Sequence, residues 1–208
     1  MSAVRAVALC AVAYGLAACS GMSEQACVSA DWRTVGFEDG TAGRSPANIG
    51  SYRNACAEHG VAPDLDAYRA GHAEGTQIYC RESNGFAVGH SGAGYQGVCP
   101  ADLEPAFVAE YNAGRHLYEL EAALRQVDSR LASNYRTQEN IKKELTTIAA
   151  KMVALDTTAE QRVAMVTRSA DLGRRFGELT NESRDLERER AVRERELLDY
   201  EQTLAANF

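Results

Sequence analysis

"LYELEAALRQVDSRLASNYRTQENIKKELTTIAAKMVAL", residues 117–155, is the stretch that decides the fold class. Leu117, Leu120, Leu124, Val127, Leu131, Asn134, Gln138, Ile141, Leu145, Ile148, Met152 and Leu155 follow a strict alternation of three and four. That spacing keeps one face of a helix apolar over about five heptads, interrupted only by Asn134 and Gln138. "DTT" at 156–158 breaks the pattern, and Thr158 followed three residues later by Gln161 is a capping-box signature for a new helix. A second, weaker seam then runs through Met165, Ser169, Leu172, Phe176, Leu179, Ser183, Leu186, Arg190, Arg193, Leu197, Tyr200 and Leu204. Folding back at 156–157 would place together positions whose numbers add to about 313, setting Ile148 against Met165, Ile141 against Leu172 and Val127 against Leu186. The expectation is an antiparallel coiled-coil hairpin over residues 116–206, each arm roughly 60–75 Å long at 1.5 Å per residue. The stems of Arg190 and Arg193 can cover leucines on the facing arm while their guanidiniums reach water. Gly173-x-x-x-Gly177 marks a further place where another helix could approach. A stripe this long is either covered within the hairpin, as in a spacer, or covered by self-association or a partner protein.

Working outward, the composition changes near residue 115. Before it, glycines, aromatics and cysteines cluster; after it the chain contains no proline. "VGFEDG" at 35–40 aligns with "AGHAEG" at 70–75, with Trp32 and Tyr68 preceding each, and "EYNAGRHLY" at 110–118 is a degraded third copy. Glycine inside a helix costs about 1 kcal/mol relative to alanine, so these positions read as short helices in close contact. Asp64 and Asp102 are placed to start helices, with Pro105 tolerated in a first turn. Asp39, His72 and Glu74 form either a polar constellation around a groove or ordinary polar residues beside a packed seam.

The N-terminus sets the expected compartment. Arg5, an apolar run from Ala6 to Leu16 and "LAAC" at 16–19 describe a secretory signal peptide over 1–18. The cysteine after small residues resembles a bacterial lipobox, which implies a diacylglyceryl thioether and an amide-linked acyl chain (palmitate) on Cys19. Several chains are needed because one binds a bilayer only marginally. Ser20, in place of the aspartate that retains lipoproteins at the inner membrane, points to the outer membrane facing the periplasm. Residues 19–26 read as a flexible lipidated tether. The formal charge of −7 becomes −8 when Arg5 leaves, and no basic cluster offers a phosphate-tracking surface, so nucleic acid is not an expected partner.

Cys27, Cys56, Cys80 and Cys99 remain for two disulfides in an oxidising compartment. Three connectivities exist; Cys27–Cys56 with Cys80–Cys99 joins neighbours and closes short loops, and is the preferred one. A metal site on Cys56-x-x-His59 with Cys80 and Cys99 lacks a second tight ligand pair, so neither metal nor cofactor is expected. "CRESNGFAVGHSGAGYQGVC" at 80–99 carries G-x-G-x-x-G at Gly92, Gly94 and Gly97, but Pro100 follows too soon for the helix a dinucleotide needs. Its Gly-His-Ser-Gly start has Ala93 where a nucleophile elbow requires glycine, and only His116 follows as a triad base. A disulfide-closed loop suits it better, with short strands at 86–89 and 94–98 and with His90 and Ser91 at the tip.

The combination of "ADW" at 30–32, "GFEDG" at 36–40, "CAEHGVAPD" at 56–64, "YRAGHAEG" at 68–75, "YC" at 79–80 and "GYQGVCP" at 94–100 resembles the bacterial lipoprotein family catalogued as domain of unknown function 2799. The resemblance covers about residues 27–115, implies an envelope lipoprotein and carries over no catalytic residue.

The fold expected is therefore mainly α: a small disulfide-stapled helical domain over 27–115 with a glycine-rich loop or short β-hairpin, followed by the long hairpin. The function expected is that of a noncatalytic interaction or scaffold module, anchored by lipid and meeting an envelope protein or itself through residues 116–206. The alternatives are a cell-wall-directed enzyme or accessory using Asp39 and Glu74 with His72 or His90, and a small envelope-ligand binder stacking its ligand on Trp32, Tyr68 and Tyr95.

Overall fold

The computed structural model describes residues 22–207. The signal-peptide reading of 1–18 and the lipidation of Cys19 lie outside the described residues. Seven α-helices follow in order: α1 Glu24–Ser29, α2 Trp32–Thr41, α3 Ile49–Ala57, α4 Leu65–Tyr79, α5 Glu82–His90, α6 Glu104–Met152 and α7 Ala159–Asn207. A 3₁₀ turn, Pro46–Asn48, precedes α3. Among the described residues there is no strand. Ser23 caps α1 through its hydroxyl, so the tether read over 19–26 gives way to helix at Glu24.

The chain forms two compact units. One runs to Tyr79 and includes Gln96–Val98; the other comprises Cys80–Tyr95 and Cys99 onward. Residue 115, where the composition changes, lies inside α6, because that helix is already running when the heptads begin.

In the first unit α2 packs on α4. Asp31 starts α2 by accepting from the backbone of Arg33 and Thr34, and Asp64 starts α4 by accepting from Asp66 and Ala67. Contact between these helices needs bare backbone. A β-carbon at Gly36 would fall well under 3.0 Å from the Tyr68 carbonyl, and one at Gly71 equally close to that of Arg33. Gly40 and Gly75 extend the same seam by a turn. Cys27 in α1 bonds to Cys56 in α3, and both pack with Trp32 and Tyr68 in the core.

In the second unit α5 lies on the first turns of α6 by the same device. Gly89 abuts the Tyr111 carbonyl and the Arg115 amide, as Gly36 abuts the Tyr68 carbonyl and the His72 amide. Gly114 abuts Phe86 and His90, as Gly71 abuts Arg33 and Phe37. Offsets of 53 for the first helix (36 to 89, 33 to 86) and 43 for the second (71 to 114, 68 to 111) relate every one of these contacts. The same two offsets carry Cys27 to Cys80 and Cys56 to Cys99, and the second disulfide is indeed Cys80–Cys99. The second unit thus repeats the stapled helix pair of the first, with its cysteines 19 positions apart in place of 29.

This corrects the reading of the glycine-rich stretch as paired strands at 86–89 and 94–98. Alternating Phe86 and Val88 over so short a span fit either period, and Gly85 and Gly89, one turn apart, supply the flat helix face on which α6 lies. The partner of the degraded copy at 110–118 is α5.

The rest of α6 and α7 pair as the antiparallel hairpin, with cores of Ile141, Ile148, Leu172 and Leu179 and of Val127, Leu131 and Leu186. Its register differs from the expected one by a turn. Partner numbers add to 312 on one flank (Arg130 with Glu182, Glu144 with Arg168) and to 322 on the other (Tyr135 with Glu187), which centres the seam on 317. The cause is the connection. α6 stops at Met152, so Leu155 falls in the turn, while the first residues of α7 run on before meeting the opposite arm. The capping box forms as read, with Thr158 N–H donating to Gln161 Oε1 at 2.9 Å and Gln161 N–H to Thr158 Oγ1 at 3.2 Å. Asp102 does not cap α6, which begins after Leu103 without a side-chain bond.

Candidate functional site

The densest polar cluster of the first unit is centred on Asp39. Its position in α2 turns the carboxylate inward, and its residue is 1% exposed. Four donors from three other parts of the unit surround it. Arg44 Nη1 donates to Oδ1 at 2.7 Å and Tyr52 OH to Oδ1 at 3.1 Å. Asn48 Nδ2 and Tyr68 OH each donate to Oδ2 at 2.7 Å. Burial alone would push this carboxyl up, but the bonds from Asn48, Tyr68, Arg44 and Tyr52 outweigh it and hold Asp39 below the ordinary aspartate range. Burial, followed by the adjacent carboxylate, pushes the Tyr68 hydroxyl well above its ordinary value. His72 Nε2 lies 2.8 Å from the Arg44 carbonyl. Trp32, Tyr52 and Tyr68 pack edge-on around the cluster, with ring centroids 5.9 and 6.2 Å apart.

The sequence-derived candidates therefore divide. Trp32, Asp39, Tyr68 and His72 meet, but inside the core, where the polar atoms of Asp39 and His72 tie the 44–52 segment to α2 and α4. Glu74 is on the surface, paired with Arg33. In the second unit His90 Nε2 is 3.1 Å from Glu121, Ser91 Oγ donates to the Val88 carbonyl, and Tyr95 OH donates to Glu104 while accepting from Cys99 N–H. Desolvation opposes ionisation of Glu121, yet bonds from His90 and Arg125 hold it below the usual glutamate value. Arg44, Asn48 and Tyr52 were not foreseen, because nothing periodic marks three donors from a loop, a 3₁₀ turn and a short helix as partners of one carboxylate. Cys56, Cys80 and Cys99 are consumed by disulfides, and among the described residues no group of three or more His, Cys, Asp or Glu side chains is arranged to hold a metal ion.

Of the hairpin's exposed large apolar side chains among the described residues, four lie near the turn, while Tyr135, Val192 and Leu198 lie along the arms. Val153, Leu155, Val163 and Val166 are 80, 103, 68 and 55% exposed. Val153, Val163 and Val166 sit off the heptad seam, a signal legible in the sequence that the seam itself obscures. The turn carrying Val153 and Leu155 is held by its own bonds: Thr157 Oγ1 donates to the Lys151 carbonyl at 2.7 Å and Arg162 Nη2 to the Ala154 carbonyl at 2.9 Å. Beside it a groove of about 410 Å³ is floored by Ile148, Ala164 and Met165 and rimmed by Lys151 and the Glu144–Arg168 ion pair. Along the arms the seam is mostly covered. Its one polar layer holds Asn134 and Ser183, where Gln138 Nε2 donates to Ser183 Oγ at 3.3 Å and the buried Asn134 Nδ2 has no partner.

Among the described residues no helix is long and apolar enough to cross a membrane. No curated protein and no solved structure matches the chain. A family model does match part of it, from the cap of α2 to the start of the heptads. Residues 31–116 match the model of the family described as "Protein of unknown function (DUF2799)".

Proposed function

We propose that this chain is a lipid-anchored lipoprotein of the bacterial outer membrane, facing the periplasm, and a noncatalytic interaction or scaffold module. The family domain would be its membrane-proximal part and the hairpin its reaching element. The observation that carries the reading is the preorganised tip: Val153 and Leu155 held out by a hydrogen-bonded turn, with Val163 and Val166 exposed on the adjoining start of α7. Ordering costs little at such a turn, which favours binding over simple exposure. The test is photo-crosslinking in intact cells from positions 155 and 166, compared with position 132 on the arm. Discrete protein adducts at the tip are expected. Adducts equal at all three positions, or none, would overturn the reading.

Small-ligand binding by the first unit is a second reading, supported by a groove of about 540 Å³ between α3 and the 61–65 segment. Arg53 and Asn54 line it above Val61 and Pro63, and Arg53 is in no ion pair among the described residues. Saturable chemical-shift changes confined to these residues on adding a carboxylate-bearing dipeptide would support it; their absence across a panel of such probes would end it.

A further inference from the structure

We infer that the partner of the hairpin tip is the tip of a second copy of this chain; the inference rests on reading the hairpin as the interaction element. The tip carries both halves of one contact. Its knob is Val153 and Leu155, the latter fully exposed, flanked by the acidic Asp156 and Glu160. Its groove is the apolar floor of Ile148, Ala164 and Met165 beside the exposed cation Lys151. Neither Asp156, Glu160 nor Lys151 is in an ion pair among the described residues. A knob with free carboxylates and a groove with a free ammonium are complementary to one another. They lie close together at one end of the hairpin, so the knob of one copy reaches the groove of the next while presenting its own groove in return. Such a self-complementary patch generates a two-fold contact in which each residue pair occurs twice.

The same charges argue against a lipid surface. A tip entering a bilayer would carry Asp156 and Glu160 into it unpaired, at a desolvation cost that the apolar side chains beside them must first overcome. The patch is small beside the ~1,200–2,000 Å² of a stable interface, so the contact is a weak one, effective when the copies are held at high local concentration.

The test mixes two differently tagged full-length copies in the membrane, one bearing Leu155→Cys and the other Met165→Cys, and bridges them with a short bismaleimide. A mixed-tag dimer is expected at least tenfold above that between Leu155→Cys and the arm control Ala132→Cys. Adding Asp156→Lys and Glu160→Lys to the Leu155→Cys copy should remove most of it, and adding Lys151→Glu to the Met165→Cys copy should restore it. Equal yields for groove and arm positions, or a yield indifferent to the charge reversals, would overturn the inference. If photo-adducts at position 155 contain another protein and no second copy, the scaffold reading stands and this inference falls. If they contain only lipid, both fall.

Discussion

The two stapled helix pairs share their disulfide and their crossing glycines but differ in what fills the space beside them. In the first, cysteines 29 positions apart enclose α2, the 3₁₀ turn and most of α3, where Asn48 and Tyr52 complete the Asp39 cluster. In the second, cysteines 19 positions apart enclose only α5 and a loop, and backbone takes over the role of the carboxylate. Tyr111, the counterpart of Tyr68, donates to the Ala93 carbonyl, and Arg115, the counterpart of His72, donates to the Gly92 carbonyl. The staple and the close approach define the module. The polar filling is interchangeable, and only the first is built on a buried carboxylate.

Filling the close approach tests the equivalence most severely. Gly36→Ala and Gly89→Ala each force a β-carbon onto a carbonyl and should each cost about 3 kcal/mol or more in chemical denaturation. Costs differing by several kcal/mol would break the correspondence. Gly50→Ala, in α3 with nothing within 4 Å of the new carbon, should instead stabilise by about 0.5–1 kcal/mol.

Removal of either staple comes next, at about 2–4 kcal/mol each, and loop length alone should separate the two by only about 0.4 kcal/mol. A much larger gap between Cys27→Ala/Cys56→Ala and Cys80→Ala/Cys99→Ala would mean that native-state packing, not chain closure, dominates one of them.

The difference in filling predicts a difference in pH response. Because the carboxyl of folded Asp39 titrates below its unfolded value, its contribution is present at neutral pH, begins to fade as pH falls below the unfolded value and is gone below the folded one. Trp32 is the one tryptophan of the chain and is buried in the first unit, so its fluorescence reports that unit. Asp39→Asn should cost about 2–3 kcal/mol at neutral pH and flatten the acid limb of the Trp32 transition. An unchanged acid limb would remove Asp39 as the titrating element.

The smallest effect lies in the hairpin. Asn134→Leu removes a buried donor without a partner and should raise hairpin stability by about 1 kcal/mol, measured by helical circular dichroism on heating. Crosslinking between positions 130 and 182 should be unchanged, since the flanking ion pairs also hold the register.

Much of this architecture was legible before any coordinates. The three-four alternation from Leu117, the Thr158–Gln161 box, Asp64 as a helix start and the pairing of neighbouring cysteines all rest on local rules, and local rules survive folding. The mistakes arose where one pattern admits two geometries. Phe86 and Val88 fit strand or helix over a few residues, and Gly85 with Gly89 tips the balance only once α6 lies on them. Leu155 continues a heptad on paper, but α6 ends three residues earlier, and one turn of register is lost with it.

Residue spacing by itself thus determined that the chain is helical and extended into a hairpin, because periodicity and capping depend on neighbours along the chain; among three disulfide pairings it set only a preference. The tertiary structure alone decided that Asp39, Tyr68 and His72 are core, that two distant glycine pairs repeat one contact, and that Val153 and Leu155 stand exposed at the turn. Each of those depends on which backbones approach within a β-carbon's width, and on where a helix stops, neither of which any single segment encodes.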